Sequence, residues 1–144
     1  QFVFECGGFG NNAKIHEALK CAFANHGFEY HFPFYFPTIG EYAALLEHAG
    51  FLPTYAILFD RPTPLKGNDG MENWIRMFIK KPFDVVTNDK EKNTIITEAV
   101  DILRADLCHD GSWFADYVRL RMKAYGQYPP APLSRTTEPE GIVR

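Results

Sequence analysis

The sequence is poor in cysteine, and the three cysteines that it has are far apart. Cys6, Cys21 and Cys108 form no C-x-x-C pair, which is the spacing that zinc sites and redox dithiols use. We therefore expect no metal site. Buried, reduced thiols in a cytoplasmic protein are the simplest interpretation.

The sequence also lacks an excess of positive charge and any long apolar run. Lys and Arg number 15 against 18 Asp and Glu, for a formal net charge of −3, whereas nucleic-acid binding needs clustered basic residues. No apolar run approaches the roughly 18 residues of a membrane span. We therefore expect neither a nucleic acid nor a membrane among the partners.

The common catalytic motifs are missing as well. There is no P-loop lysine, no G-x-S-x-G turn and no H-E-x-x-H pair, and the stretch Gly7-Gly-Phe-Gly-Asn lacks the third glycine of the dinucleotide fingerprint. The histidines at 16, 26, 31, 48 and 109 show no ligand spacing, so we expect them at the surface or at helix caps. A hydrolase or an oxidoreductase is therefore not favoured.

What the sequence does contain is an opening stretch with the pattern of strand, turn and helix. Residues 2–4 are apolar and β-prone, and glycines at 7, 8 and 10 permit a sharp turn with positive φ. Asn11 or Asn12 can then cap a helix over 13–24. An apolar strand of this kind needs neighbours on its edges. We therefore expect it to be an interior strand of a larger sheet whose earlier strands this chain does not contain.

The following segments alternate between helix and strand patterns. Residues 29–37 form an aromatic segment that two prolines interrupt. This predicts an extended loop in which Phe32, Phe34, Tyr35 and Phe36 either cover the core or form a pocket wall. Thr38 and Glu41 predict a capping box on a helix over 38–49. Gly50 and a strand over 51–60 follow, and this helix-to-strand order places the second strand near the first.

The second half is predicted to be mainly helical, with one further strand. We expect a loop over 60–70, helices over 71–81 and 88–107, a turn at 109–111 and a half-buried strand over 113–125. The prolines from 129 onward predict an extended tail over 127–144. One domain fits the length, and aromatic residues at 15% suit a thick core or an aromatic pocket.

Arg61 follows directly on Asp60 at the end of the second predicted strand. Sites collect at the carboxyl ends of strands, and a guanidinium there can clamp a substrate carboxylate with two hydrogen bonds. A structural ion pair with a nearby acid explains the residue equally well. Both interpretations are open at this point.

Several segments, in order, resemble the C-terminal half of class I S-adenosylmethionine-dependent methyltransferases. They are Phe2-Val-Phe-Glu-Cys-Gly-Gly-Phe-Gly-Asn, Tyr35-Phe-Pro-Thr-Ile-Gly-Glu-Tyr-Ala-Ala-Leu-Leu-Glu-His-Ala-Gly-Phe, Leu58-Phe-Asp-Arg-Pro-Thr-Pro-Leu, Asn73-Trp-Ile-Arg-Met-Phe and Asp116-Tyr-Val-Arg-Leu-Arg. The resemblance covers about residues 2–125 and is strongest to the small-molecule group that includes trans-aconitate methyltransferase-like proteins.

This resemblance implies an α/β fold with a partial Rossmann-like sheet of three strands, the last one antiparallel, and about four helices. Residues 1–126 would be the C-terminal part of a methyltransferase domain, with a helical acceptor-side insert at 61–112. These strands would be the fifth, sixth and seventh of the family. The glycine-rich cofactor loop and the acid that binds the ribose have no match here.

The implied function is methyl transfer from S-adenosylmethionine to a small-molecule acceptor in a full-length parent, with the cofactor site mostly absent from this chain. The residues that would line the acceptor side are Phe9, Asn11, Tyr35, Phe36, Arg61 and Trp74. The alternative is a non-catalytic binding or self-association module, because the unpaired edge of strand 2–5 or the tail can pair with a second copy.

Overall fold

Four strands and four α-helices make up most of residues 1–126, which are the residues that the computed structural model describes. In chain order they are β1 (Phe2–Gly7), α1 (Ala13–Asn25), α2 (Ile39–His48), β2 (Phe51–Pro64), α3 (Gly70–Phe78), α4 (Asp89–Leu107), β3 (Cys108–His109) and β4 (Ser112–Gly126), with a 3-10 helix at Lys81–Val85. The α/β class and the four predicted helices are confirmed. The tail predicted at 127–144 lies outside the described residues.

The sheet is open, and its strand order is β1-β4-β2. Both neighbours pair antiparallel with β4, from Phe2 opposite Ala124 along β1 and from Phe51 opposite Gly126 along β2. The prediction of an antiparallel last strand is confirmed. The first two strands run in the same direction, but β4 lies between them, so no parallel pair forms within residues 1–126.

The second strand is longer than its composition indicates. The segment from Arg61 to Pro64 was predicted as a loop, yet it continues β2 until Pro64 lies opposite Phe114. Proline lacks a backbone donor and is tolerated where one side of a strand is unpaired, and β2 is an outer strand of this sheet. The loop prediction is therefore wrong because pairing with β4 outweighs local composition.

Two details of the helical half also differ from prediction. α3 ends at Phe78 rather than Lys81, and Pro82 lies in the first turn of the 3-10 helix. The predicted turn at 109–111 is confirmed by positive φ at Asp110 and Gly111. This turn joins β3 to β4 in a short hairpin that the pattern did not indicate.

The core consists of two clusters on opposite ends of β4. The larger one packs α1, α3 and α4 against Trp113 and Ala115, and Phe23 at its centre is fully buried. The smaller cluster packs α2 against Leu120, Met122 and Ala124 of β4. Fully burying one such large apolar side chain contributes about 1.5–3 kcal/mol. α2 thus covers one face of the three long strands.

The cysteines only partly match the expectation of buried thiols. All three are free, but Cys21 is exposed on α1, and Cys6 and Cys108 are only half-buried. Burial still raises the pKa of the Cys6 thiol. The prediction of buried cysteines is therefore wrong for Cys21, because its position falls on the outer face of the helix.

Candidate functional site

A cavity of ≈ 620 Å³ lies where the carboxyl ends of β1 and β2 meet the beginning of β4. Ligands in α/β proteins bind outside the carboxyl ends of strands, so the cavity lies at the end of the sheet where a site is expected. The walls come from the start of α1, the end of β2, the end of α4 with β3, and the first half of β4. The lining residues are Gly10, Ala13, Lys14, Asp60, Pro62, Asp106, Leu107, His109, Phe114, Ala115, Asp116, Tyr117 and Val118.

The turn from β1 into α1 forms one rim of this cavity. Gly10 has a φ of +86°, which only glycine adopts without strain. Gly7 and Gly8 do not have positive φ, so the sequence prediction is correct only for Gly10. Gly7 instead provides space, since a Cβ atom there would lie 2.7 Å from Cε1 of Phe36.

Hydrogen bonds to β4 hold the turn in place. The backbone N–H of Gly8 donates to the carbonyl of Val118 at 3.0 Å. The N–H of Val118 donates to Oδ1 of Asn11 at 2.8 Å, and Asn11 is only 5% exposed. Because the Asn11 side chain substitutes for a missing strand partner, the turn continues the ladder of β1 and cannot shift relative to β4.

Asp116 caps α1, although the sequence predicted that an asparagine would do so. Asn12 occupies the cap position with a φ of 55°, but its side chain makes no capping bond. Oδ2 of Asp116 accepts the N–H of Lys14 at 2.9 Å, from a strand 102 positions away along the chain. A carboxylate at this end also suits the positive end of the helix dipole.

The second carboxylate oxygen of Asp116 is buried and has no hydrogen-bond partner within residues 1–126. Burial raises the pKa of Asp116, and the N–H and the charge of Lys14 oppose that rise. Asp116 lines the cavity, and a desolvated carboxylate with a raised pKa is well suited to accept a proton. Asp116 is therefore the residue of this cavity with the clearest chemical capability.

The charge of the lining is mainly negative. Asp60, Asp106 and Asp116 provide three carboxylates, and Lys14 and His109 are the basic residues. Nζ of Lys14 lies 3.7 Å from Oδ2 of Asp106, but both side chains are more than half exposed, so this pair is weak. The cavity therefore favours ligands that are neutral or positively charged over polyanions.

Three of the residues predicted for the site lie together beside the cavity without lining it. Asn11 and the ring of Phe36 meet above Gly7. The N–H of Phe9 donates to the carbonyl of Pro37 at 2.9 Å, which ties the glycine turn to the aromatic segment, and the Phe9 ring is 62% exposed. Whether these residues bind a ligand stays a prediction.

The other three predicted residues lie apart from one another. Arg61 donates to Oε1 of Glu5 at 2.8 Å on the outer sheet face. Its observed contact is therefore a structural ion pair, which was one of the two interpretations of this residue. Trp74 is 6% exposed, and its Nε1 donates to the hydroxyl of Tyr117, a cavity residue, at 2.7 Å. Tyr35 is 62% exposed. Their roles in binding are likewise untested predictions.

No motif in the sequence marks the acidic lining. Asp116 stands in the segment of the resemblance without a motif that marks it, and Lys14, Asp106 and His109 belong to three different elements. Only the packing of α1 on α4 brings Lys14 within reach of Asp106. A polar residue in the apolar half of β4 was the one available hint for Asp116.

His16 is a second residue that the pattern misplaced. It was expected at the surface or at a cap, but it is 7% exposed, and its Nδ1 lies 2.8 Å from the Tyr30 hydroxyl. The rings of Phe32 and Phe34 pack on it with centroid distances of 4.6 and 5.6 Å. The aromatic segment thus covers His16 and lowers its pKa to about 4 through burial.

A second concavity, of ≈ 700 Å³, runs along the outer face of α4 between Lys90 and Ile102. It is a more open groove on a single helix, so we place the candidate site in the deeper cavity at the strand ends. Among residues 1–126, no group of three His, Cys, Asp or Glu side chains is placed to hold a metal ion. None of the helices in this range has both the length and the apolar character to cross a membrane.

Comparison with known proteins connects this fold to one class of enzyme. No protein-family model matches the sequence. The chain is 31% identical over 132 residues to an uncharacterized methyltransferase of Schizosaccharomyces pombe, and the aligned region covers 87% of this chain and 49% of that protein. The chain therefore spans about half the length of the curated relative that it matches. The similarity supports a methyltransferase family.

Proposed function

We propose that this chain is the acceptor-side part of an enzyme that transfers a methyl group from S-adenosylmethionine to a small molecule in the cytoplasm. The observation that supports it is the acidic cavity at the strand ends of a chain that is similar to a methyltransferase. The antiparallel β4 between β1 and β2 is consistent with the end of a Rossmann-like methyltransferase sheet. In this proposal β1, β2 and β4 correspond to the fifth, sixth and seventh strands.

The described residues fit the methyl donor only in part. The negative lining from Asp60, Asp106 and Asp116 suits a positively charged sulfonium, but no glycine-rich loop or ribose-binding acid matches the family's motifs. When bound, S-adenosylmethionine supplies the methyl group. We assign the adenosyl site to the part of the parent protein that lies outside this chain.

The chain's own residues act on the acceptor in this proposal. Asp116 accepts the proton that the acceptor's hydroxyl or amine loses, since Asp116 lines the cavity and its pKa is raised. Asn11 keeps the glycine turn fixed on β4. Methyl transfer depends largely on such positioning of the two reactants. The acidic lining favours a neutral or cationic acceptor over a polycarboxylate.

The test is methyl transfer from radiolabelled S-adenosylmethionine by the full-length enzyme with Asp116→Asn. Asparagine can still accept the Lys14 N–H, so the fold is expected to persist while the proton acceptor is lost. We expect kcat to fall by roughly 10²-fold. Asp84→Asn, on an exposed position of the 3-10 helix, is the matched control. Equal rates for the two variants would contradict the role of Asp116.

A separate titration tests the location of the donor site. Isothermal titration of S-adenosylmethionine into the 144-residue chain is expected to show no binding in the micromolar range. Micromolar affinity would contradict the assignment of the adenosyl site to the rest of the parent. We therefore expect the full-length enzyme to transfer methyl groups and the 144-residue chain alone not to bind S-adenosylmethionine.

Self-association is the second candidate function. Within residues 1–126, β1 pairs with β4 alone, and an unpaired strand edge is a template for another chain. A homo-oligomer joined through this edge is therefore part of the proposal. Its test is described below with the whole molecule.

A further inference from the structure

Within residues 1–126, α2 covers one face of the three long strands, and no other described element covers the opposite face over β1, the middle of β2 and the second half of β4. α2 covers the face that contains Leu120, Met122 and Ala124, all 0% exposed. The opposite face consists of the odd-numbered side chains at positions 3–5, 55–61 and 119–125, which the cross-strand register places side by side. We refer to these side chains as the basic sheet face.

Positive charge is concentrated on this face of an acidic chain. The face has four basic side chains and one carboxylate, that of Glu5, so its formal charge is +3, whereas the whole chain has −3. The basic residues are Arg61, Arg119, Arg121 and Lys123. The rest of the chain is correspondingly more acidic. The face therefore differs in sign from its surroundings and favours a negatively charged partner.

Glu5 holds the three guanidinium groups in a fixed arrangement. Arg121 donates to its Oε2 from Nε and Nη2 at 2.9 and 2.7 Å, and Arg119 and Arg61 donate to its Oε1 at 3.0 and 2.8 Å. Most of the guanidinium N–H groups remain free for a ligand, because each arginine has five. Groups fixed in advance lose little entropy on binding.

The same face exposes large apolar side chains between the cations. Val3 is 57% exposed, Tyr55 49%, Ile57 38% and Tyr125 40%. The Arg121 guanidinium stacks on Phe59 at 5.2 Å from the ring centroid. Contiguous apolar surface bordered by charge marks interaction sites on folded proteins. A partner that contributes both carboxylates and apolar side chains would be complementary to it.

We propose that the basic sheet face binds an acidic amphipathic helix of a partner protein. Three strands span about 10 Å across the sheet, which matches the diameter of one helix with its side chains. The apolar side of such a helix would pack on Val3, Tyr55 and Ile57, and its carboxylates would pair with Arg121 and Lys123. This inference is independent of the proposed methyl transfer.

Other occupants agree less well with the observed charges. Two copies joined face to face would bring two surfaces of +3 together, which is unfavourable. A nucleic acid would place phosphates against the Glu5 carboxylate at the centre of the cluster and against aliphatic Val3 and Ile57. Glu5 and the aliphatic side chains thus favour a protein helix.

The test is selection of helical peptides from a phage-displayed library on the 144-residue chain. We expect the recovered peptides to combine Asp or Glu with apolar residues at helical spacing. Fluorescence anisotropy of a labelled recovered peptide then measures affinity. Arg121→Gln and Tyr55→Ser are each expected to weaken binding roughly tenfold. Lys20→Gln, which removes the same charge from an exposed position on α1, is expected to leave it unchanged.

Several results would overturn the proposal. Recovery of no peptide, or of peptides without acidic residues, would exclude an acidic helix as the occupant. Equal affinities for Arg121→Gln and Lys20→Gln would place binding elsewhere. Tighter binding of a labelled single-stranded oligonucleotide, or a dimer that Arg121→Gln dissolves, would assign the face to a nucleic acid or to a second copy.

Discussion

At the scale of single residues, His16 shows how burial governs a titration. Its ring lies under Phe32 and Phe34, with Nδ1 at 2.8 Å from the Tyr30 hydroxyl, and Nε2 has no partner within residues 1–126. An imidazolium there would be a desolvated charge without compensation. The folded protein therefore keeps His16 neutral and holds its pKa at about 4 instead of 6.5.

This shift predicts a loss of stability in mild acid. Between pH 6.5 and about 4 the unfolded chain binds a proton on His16 and the folded chain does not, so the free energy of unfolding falls by up to about 3 kcal/mol as pH decreases through this window. His16→Gln removes this dependence and can still bond Tyr30. Urea denaturation across the window measures it. His31→Gln, at an exposed position, is the control and should keep the wild-type pH dependence. If the free energy of unfolding of His16→Gln fell as steeply with pH as that of the wild type, His16 would not be the group responsible.

Glu5 has the opposite environment, a carboxylate surrounded by guanidinium groups. Hydrogen bonds from Arg121 and then Arg119 hold the pKa of Glu5 at about 2, against 4.5 ordinarily. Its stabilising contribution is complete above pH 4.5 and is lost as pH falls towards 2. The charge thus remains throughout the neutral range.

We expect Glu5→Gln to be less stable at neutral pH, because three neighbouring guanidinium groups lose their shared anion. Its stability should also decrease less than that of the wild type between pH 4.5 and about 2. Glu17→Gln, at an exposed position of α1, serves as the control. Urea denaturation curves for the three proteins decide the matter: parallel pH profiles for wild type and Glu5→Gln would mean that Glu5 is not the titrating group.

At the scale of elements, local sequence determines where the helices begin and end. Oγ1 of Thr38 accepts the N–H of Glu41 at 3.2 Å, and Oε2 of Glu41 accepts the N–H of Thr38 at 2.8 Å, so the predicted capping box is confirmed. Asn88 caps α4 in the same way through Lys90 at 2.9 Å. Gly27 and Gly50 have positive φ just after their helices, which is typical of a glycine that follows a helix C-terminus.

Thr38→Ala should lower the free energy of unfolding by about 1 kcal/mol, because an amide in the first turn of α2 loses its acceptor. Thr97→Ala is the matched control: Thr97 is exposed inside α4, where alanine has the higher helix propensity. Thermal or urea denaturation measures both variants. If Thr38→Ala lost no more stability than Thr97→Ala, the capping box would not contribute to the fold.

At the scale of the whole molecule, the outer edge of β1 predicts self-association. Val3→Lys places a charge on this edge, where it should oppose strand pairing and shift the chain towards the monomer. Tyr125→Lys adds the same charge to the same sheet face but on the central strand β4, so it should leave edge pairing unchanged. Light scattering across micromolar concentrations gives the mass. A wild type that stays monomeric throughout would count against the prediction.

How far the sequence predicts the fold depends on how local each interaction is. Helix caps, glycine stops and apolar periodicity act within a few residues, and they placed α1, α2 and α4 nearly to the residue. The extension of β2 through Pro62 and Pro64 depends on β4, so composition predicted a loop there. The partners of Arg61 and Asp116 are also distant in sequence. The sequence therefore could not decide whether Arg61 binds a substrate carboxylate or forms a structural ion pair.

The sequence by itself determined the α/β class, the boundaries of α1, α2 and α4 and the similarity to a methyltransferase, because all three depend on residue order and short-range pattern. Only the tertiary structure decided which face of the sheet is open, where the carboxylates converge and that Asp116 caps α1. Those features arise when β4 inserts between β1 and β2. The pairing of β1 with β4 joins residues more than 100 positions apart, and no local pattern specifies it.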